Sequence, residues 1–255
     1  MRDFTLDAYK EYLQVIKSSY ESILTFSEYF CAAPKPESFC LIRHDVDRKP
    51  GNALQMAKIE NEMSIKSTYY FRTKPHTFES QIIMEIANLR HEIGYHYESL
   101  SDANGNMSLA LKDFENNLKR FREIVSIKTI AMHGRPLKPY DNRDMWRNAD
   151  NHNRLIREYG ILGEVYLDID YTDIAYINDT GRNWTSGRFN RRDKVVSNIK
   201  VDFENGESLL EYLRSSPYPK MVFQVHPERW ESTVTNWIIQ YFRDTAINAI
   251  KGCLR

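Results

Sequence analysis

Acidic and histidine side chains stand at the ends of four apolar segments of this sequence. The first segment ends in RHDVD, which carries Asp45 and Asp47. Alternate residues of a strand share one face, so these two carboxylates point the same way and His44 points the other way. Carboxylates on one face repel each other unless a cation lies between them or one is protonated. The pair therefore indicates a metal ligand beside a general base, or else a solvated loop at a strand end.

Three further apolar segments end in histidine-containing clusters. The segment HEIGYHYE carries His96 and Glu98, which are two residues apart and can share a face. His133 and Arg135 follow the run IAM, and His226 closes KMVFQVH, where a proline stops the strand. One histidine at a strand end is more often structural than a ligand. Four strands that each end in Asp or His are less easily accidental, so the sequence predicts a shared site.

Apolar periodicity predicts alternating strands and helices around these clusters. Strands are predicted at 38–43, 66–72, 92–97, 127–133 and 220–226, with short pieces within 163–178. Helices are predicted at 5–30, 52–63, 78–90, 108–124, 151–159, 208–214 and 230–250. We expect an α/β fold: a distorted or incomplete (β/α) barrel of about seven strands with extra N-terminal and C-terminal helices, forming a single domain over residues 1–255. An open doubly wound sheet is the alternative, and in both folds functional groups collect at the carboxyl ends of the strands.

The overall composition narrows the class of partner. The 255 residues are 42% hydrophobic, and 35 Lys and Arg balance 35 Asp and Glu, so nothing favours a nucleic acid or an anionic membrane as the main partner. Cys31, Cys40 and Cys253 form no C-x-x-C pair, which argues against a zinc ribbon and a disulfide framework. The charged N-terminal segment does not resemble a signal peptide, and no apolar run approaches the ~18 residues of a membrane helix. We expect a cytoplasmic protein.

The order and spacing of these motifs resemble those of the polysaccharide deacetylases, the NodB-homology group of carbohydrate esterases (family 4). The likeness covers roughly residues 38–230 and implies a NodB-like barrel. The D-x-D form of Asp45 and Asp47 is similar to the first family motif, which implies that Asp45 is the general base and Asp47 a metal ligand. RHEIGYH is similar to the second motif, whose ligand histidine corresponds to His96.

The rest of the resemblance includes one departure from the family pattern. Arg135-Pro136 resembles the third motif, whose arginine pairs with the base carboxylate, and His226 resembles the general-acid histidine. The family's second ligand histidine, four residues after the first, is replaced here by Leu100. His133 is the first candidate to complete the ligand set, and Glu98 is the second.

The resemblance implies a metal-dependent deacetylase that removes an N-acetyl group from an amino sugar, in a subtype associated with bacterial surface polysaccharide (O-antigen or capsule) biosynthesis. Mixed nitrogen and oxygen ligands suit Zn²⁺, with Fe²⁺, Co²⁺ or Ni²⁺ as alternatives. The N-acetylated sugar is expected to be nucleotide-linked, lipid-linked or part of an oligosaccharide. One alternative is a catalytically inactive sugar-binding module, which Leu100 favours. A metal-dependent phosphoester hydrolase ranks lower, because too few ligands can be assembled for two metal ions.

Five further residues are predicted to contact the substrate. Glu98 is one of them if it is not a ligand. In the segment INDTGRNW, Asp179 and Arg182 are expected to bind sugar hydroxyls or a phosphate, and Trp184 to stack on a ring. Trp230, just after His226, is expected to line the pocket. The alternative for the segment INDTGRNW is an ordered polar loop, and the alternative for Trp230 is packing in the core.

Overall fold

The helices and strands alternate along most of the chain. The computed structural model describes residues 2–135, 137–184, 192–215 and 217–253. The strands are β1 (Ser22–Leu24), β2 (Phe39–Val46), β3 (Thr68–Phe71), β4 (Glu92–Tyr97), β5 (Thr129–Met132), β6 (Gly163–Glu164), β7 (Ala175–Asn178) and β8 (Lys220–Val225). The helices are α1 (Leu6–Ser19), α2 (Phe26–Cys31), α3 (Pro50–Glu62), α4 (Ser80–Asn88), α5 (Ser99–Asp102), α6 (Met107–Arg122), α7 (Asp144–Arg147), α8 (Ala149–Arg157), α9 (Gly206–Ser215) and α10 (Val234–Cys253), with a 3-10 turn at Pro227–Arg229.

The sheet is parallel and follows the order β6-β5-β4-β3-β2-β8-β7. On one side of β2 the strands β3, β4, β5 and β6 follow one another in chain order. On the other side, β8 pairs with β2, and β7 pairs with β8. This cyclic order is that of a barrel with a seam between β6 and β7, which do not pair within the described ranges. The prediction of an incomplete barrel of about seven strands is confirmed. The short β1 lies outside this path and pairs with the first half of β2.

The N-terminal segment differs from its prediction as a single helix over 5–30. The helix α1 ends at Ser19 because Tyr20 takes an extended conformation and is buried, donating its hydroxyl to the Tyr218 carbonyl. Residues 22–24 then pair with β2, and a new helix begins at a capping box formed by Thr25 and Glu28. The apolar side chains in this segment therefore serve two helices and a strand.

The C-terminal helix also begins later than predicted. Pro227–Arg229 forms the 3-10 turn, Trp230 is fully buried in extended conformation, and α10 starts only at Val234. In the part of the chain that the structure describes, no helix is both long and apolar enough to cross a bilayer.

Two hydrophobic clusters form the core. One is built on β3, β4 and β5 and on the inner face of α6, and it includes Phe114 and Trp146. The second joins α1 and α9 to β8 and includes Trp184 and Trp230. Trp184 is 3% exposed, stacks on Phe4 and Phe223, and donates its indole N–H to Asp3 at 2.8 Å. The prediction that Trp184 stacks on a sugar ring is wrong, because both faces of the indole are covered by protein.

Replacement of Trp184 by Ala should therefore affect folding. A buried Trp→Ala change leaves a large cavity and is expected to lower the free energy of unfolding by about 3–5 kcal/mol, measured by urea denaturation. Leu137→Ala is the control, because Leu137 is 70% exposed and its loss should change stability by less than about 0.5 kcal/mol. Wild-type stability of the Trp184 variant would contradict the core assignment.

Candidate metal centre and active site

The carboxyl ends of β2, β4, β5 and β8 bring the four predicted clusters to one edge of the sheet. Parallel register makes this unavoidable, since every strand runs toward the same end of the barrel. The strand alternation also holds: His44 points away from the site and contacts Glu60 at 2.7 Å in the opposite layer. Asp45 and Asp47 lie on the site face, as the sequence predicts.

Asp47, His96 and His133 form a cluster that fits a metal ion. Each offers one ligand atom, and these atoms lie within 4.8 Å of one another. Asp47 Oδ1 is 3.5 Å from His96 Nε2 and 3.4 Å from His133 Nε2. This oxygen is buried and has no hydrogen-bond partner among the residues that the structure describes. A buried carboxylate oxygen between two imidazole nitrogens is a donor set suited to a divalent cation such as Zn²⁺.

Contacts behind the two histidines orient them toward this gap. His96 Nδ1 is 3.0 Å from the Ala131 carbonyl, and His133 Nδ1 is 3.1 Å from Glu98 Oε2. A nitrogen that donates to these acceptors leaves Nε2 with its lone pair free to bind a metal, the arrangement common around protein metal ions. In that tautomer, both imidazoles would present Nε2 to the cluster as coordination needs.

Glu98 lies behind the cluster and not in the substrate pocket. It is 3% exposed, and both of its oxygens are engaged: Oε1 by Arg72 at 2.8 and 2.9 Å, and Oε2 by His133 and by Arg135 at 2.6 Å. Burial raises the pKa of Glu98, but His133 and the two guanidinium groups outweigh it and hold the pKa well below its usual range. The prediction that Glu98 binds substrate is therefore wrong, and its position is that of a residue that orients His133.

Leu100 stands where the motif resemblance would place a second ligand histidine. It is on α5, is 4% exposed and belongs to the hydrophobic core. The structure instead brings His133, at the end of the neighbouring strand, to the cluster. The ligand role of His133 stays a prediction, and its position fits that role.

Asp45 is held by a different arginine from the one predicted. Arg43 binds both carboxylate oxygens, at 2.7 and 2.9 Å, and Gln224 donates to Oδ2 at 2.6 Å. Burial raises the pKa of Asp45, but the charge of Arg43, with smaller contributions from two histidines, keeps it below its ordinary value. The predicted pairing with Arg135 is wrong, because that guanidinium contacts Glu98 and Asp102 instead. Pro136 lies outside the described residues.

His226 is fixed by a buried aspartate. Its Nδ1 is 2.6 Å from Asp179 Oδ1, and its backbone N–H donates to Asp179 Oδ2 at 3.0 Å. Burial and the nearby Arg229 lower the pKa of His226, but Asp179 and Asp45 together raise it above its ordinary value. Asp179 is fully buried, and Trp230 also donates to it at 3.0 Å. The prediction that Asp179 binds sugar hydroxyls is wrong, because the residues around His226 occupy its oxygens.

Two other predicted substrate contacts belong to the core. Arg182 lies under α10, where it is 3.5 Å from Asp244 and covers the rings of Phe4 and Trp237. Trp230 is fully buried in the aromatic cluster, and its indole N–H donates to Asp179. Neither side chain is available to a ligand.

Several residues of the site were missed by the sequence analysis. Arg43 had a usable signal, since it lies two residues before Asp45 and so shares its strand face. Glu228 and Arg229 had none, because they lie in a turn without periodicity. Both line a pocket of about 260 Å³ together with Asp47 and His133.

Comparison with known proteins gives only distant likenesses. No family model and no curated protein sequence matches the chain. Among solved structures, a wild-type CE4 family pseudoenzyme from Bacillus anthracis has 9% identity and a TM-score of 0.47, over 86% of this chain and 63% of that chain. A family 4 carbohydrate esterase from the same organism has 10% identity and a TM-score of 0.43, over 96% and 84%. A CE4 domain of a xylanase from the hindgut metagenome of Trinervitermes trinervoides has 11% identity and a TM-score of 0.37, over 74% and 88%.

This chain thus spans less than two thirds of the pseudoenzyme's length. The function of this chain is therefore inferred from the geometry of its site and from its sequence motifs.

Loss of His133 should abolish tight metal binding. His133→Ala removes one of the three proposed ligand atoms. It is therefore expected to weaken Zn²⁺ affinity by at least about 100-fold, since loss of a residue that only orients a ligand already costs up to about that much. Isothermal titration calorimetry of metal-stripped protein measures this effect. His152→Ala is the matched control, since His152 contacts Asp168 at 2.7 Å and is not part of the cluster. Wild-type Zn²⁺ affinity in His133→Ala would contradict the proposed ligand set.

Proposed function

We propose that this protein is a metal-dependent hydrolase that removes the N-acetyl group from an amino sugar. The observation that carries the proposal is the Asp47, His96 and His133 cluster, whose carboxylate oxygen has no hydrogen-bond partner in the described structure, beside an ionised Asp45 and a buried His226. Amide hydrolysis needs an activated water, stabilisation of the oxyanion and a proton for the leaving amine. These residues can meet all three needs.

Activation of the water and stabilisation of the oxyanion both involve the cluster of Asp47, His96 and His133. Asp47, His96 and His133 would hold the divalent ion, with Zn²⁺ preferred by the donor set. When bound, such an ion polarises a carbonyl and acidifies a coordinated water. The contacts of Glu98 to His133 and of Ala131 to His96 keep both imidazoles oriented for this role.

Asp45 is the proposed general base. His96 Nε2 is 3.5 Å from Asp45 Oδ2, so the carboxylate borders the metal cluster. Arg43 keeps Asp45 ionised and therefore able to accept a proton at pH 7, while Gln224 fixes its orientation. Arg43 thus has the role that the sequence motif suggested for Arg135.

His226 is the proposed general acid. The raised pKa of this imidazole favours the protonated form, which can donate from Nε2 while Nδ1 remains bound to Asp179. Proton donation to the departing nitrogen yields acetate and a free amino sugar. The Asp179 carboxylate stabilises the imidazolium before this transfer.

The amino sugar is proposed to belong to a bacterial surface polysaccharide, O-antigen or capsule, presented as a nucleotide-linked, lipid-linked or oligosaccharide substrate. This part of the proposal is supported by the motif resemblance alone. A cytoplasmic location is proposed on the cysteine pattern, and a single domain on the alternation of strands and helices along the chain.

The function is tested by acetate release from N-acetylated nucleotide sugars and oligosaccharides, with metal content measured on the same protein. We expect stoichiometric metal in the wild type, and retention of that metal in Asp45→Asn with a loss of at least ~10²-fold in rate, the usual scale for a general base. Asp173→Asn is the control, because Asp173 pairs with Lys220 on the surface.

Full activity of Asp45→Asn would contradict the role of this residue. A wild type without stoichiometric metal and without acetate release, but with retained sugar binding, would favour the non-catalytic module. Cleavage of a generic phosphodiester without acetate release would favour the phosphoester hydrolase.

The dependence of the rate on pH should report the Asp179–His226 pair. A general acid must be protonated, so the rate should fall as pH rises through the pKa of His226. Asp179 raises that pKa, and Asp179→Asn should therefore move the alkaline limb of the kcat profile to lower pH. The measurement is kcat against pH for both proteins, with circular dichroism to confirm folding. An alkaline limb at unchanged pH would show that His226 is not the acid.

A further inference from the structure

One buried carboxylate beside the cluster of Asp47, His96 and His133 has no role in the proposed reaction. Glu228 lies in the 3-10 turn after His226, is 1% exposed, and lines the same pocket as Asp47 and His133. Its Oε1 is 3.3 Å from Arg48 Nη2. Its Oε2 is buried and has no hydrogen-bond partner among the residues described.

This arrangement is unfavourable for the protein alone. Burial of a carboxylate oxygen without a donor costs free energy, and the like charge of Asp47 adds to that cost. Both effects raise the pKa of Glu228, burial being the larger. Glu228 is not one of the three residues whose ligand atoms cluster, so a metal ion held by those three atoms would not account for the missing partner of its Oε2. A donor from a bound molecule would supply the missing hydrogen bond.

The neighbouring residue gives a second indication of the ligand's chemistry. Arg229 lines the same pocket, and its Nε–H is also buried without a partner in the described structure. The pocket thus carries an unpaired acceptor and an unpaired donor on consecutive residues. Hydroxyl groups both donate and accept hydrogen bonds, so a polyhydroxylated molecule suits this pair.

We propose that Glu228 is a specificity-determining residue whose Oε2 accepts a hydrogen bond from a polar hydrogen of the substrate. That hydrogen belongs to a sugar hydroxyl or to the N–H of the acetamido group, and the experiment below separates the two. The inference deepens the proposed function and rests on it, since it assumes that the pocket at the metal cluster receives the substrate.

Binding of three small probes tests the proposal without turnover. N-acetylglucosamine offers hydroxyls and an N–H, glucose only hydroxyls, and N-methylacetamide only an N–H. Their affinities for metal-free protein are measured by chemical-shift titration in wild type, Glu228→Gln and Glu228→Ala. Because a hydrogen bond to a charged group is lost, we expect the affinity for N-acetylglucosamine to fall about tenfold or more in Glu228→Ala, and less in Glu228→Gln. If the affinity for glucose falls in parallel and that for N-methylacetamide does not, the donor is a sugar hydroxyl. If only the affinity for N-methylacetamide falls in parallel, the donor is the acetamido N–H.

Thermal stability separates this role from a structural one. Glu228→Gln removes a poorly paired buried charge, so its Tm should equal or exceed that of the wild type. Glu231→Gln is the matched control: Glu231 is in the same segment, is 3% exposed, and forms an ion pair with Lys49 away from the pocket. That variant should lose Tm and keep probe affinity.

Each outcome decides between the two proposals. Probe affinities within twofold of wild type in both Glu228 variants, or no binding of any probe to the wild type, would overturn the role of Glu228. If the wild type also binds zinc and releases acetate, the proposed function stands and only this inference fails. If the wild type binds probes through Glu228 but takes no zinc and releases no acetate, the binding role stands and the hydrolase fails.

Discussion

Buried carboxylates must be compensated, and that constraint organises the open end of this barrel. Asp45, Glu98 and Asp179 are all almost completely buried. Each is bound by at least one arginine: the first by Arg43, the second by Arg72 and Arg135, and the third by Arg229. Asp47, whose side chain is 20% exposed, differs from these three, since its ion-pair contacts in the described structure are two histidines. The position without an arginine is the one at which a metal cation would supply the missing charge.

The opposite face of β2 fixes the register that this arrangement requires. A slip of one residue would turn Asp45 and Asp47 away from the site and His44 into it. His44, Tyr69 and Ser67 all converge on the buried Glu60, with distances of 2.6 to 2.7 Å, so such a slip would break a buried network. Loss of one partner in a buried charged network is strongly destabilising, which ties the position of the candidate site to the integrity of the core.

The sequence predicts what depends on local periodicity, and it fails where partners come from distant segments. Period-two alternation places Asp45 and Asp47 on one face, and strand ends locate His96, His133 and His226 correctly. The partners of two of these histidines come from distant parts of the chain. Glu98 lies 35 positions before His133, and Asp179 lies 47 positions before His226, so no local pattern reveals either contact. Aromatic residues present the same difficulty: a tryptophan that stacks on a sugar and one that fills a core have the same sequence signal, and only burial distinguishes Trp184.

The position of His133 beside Asp47 and His96 follows from strand register. The strands β4 and β5 pair so that His96 is opposite Ala131 and Tyr97 is opposite Met132. The next residues along each strand, Glu98 and His133, therefore come side by side, and the His133 N–H extends the ladder to the Tyr97 carbonyl at 2.7 Å. This one step of the ladder delivers an imidazole to the cluster and a carboxylate to orient it. Leu100, on the helix that follows β4, packs in the core, while His133 at the end of β5 completes the cluster with Asp47 and His96.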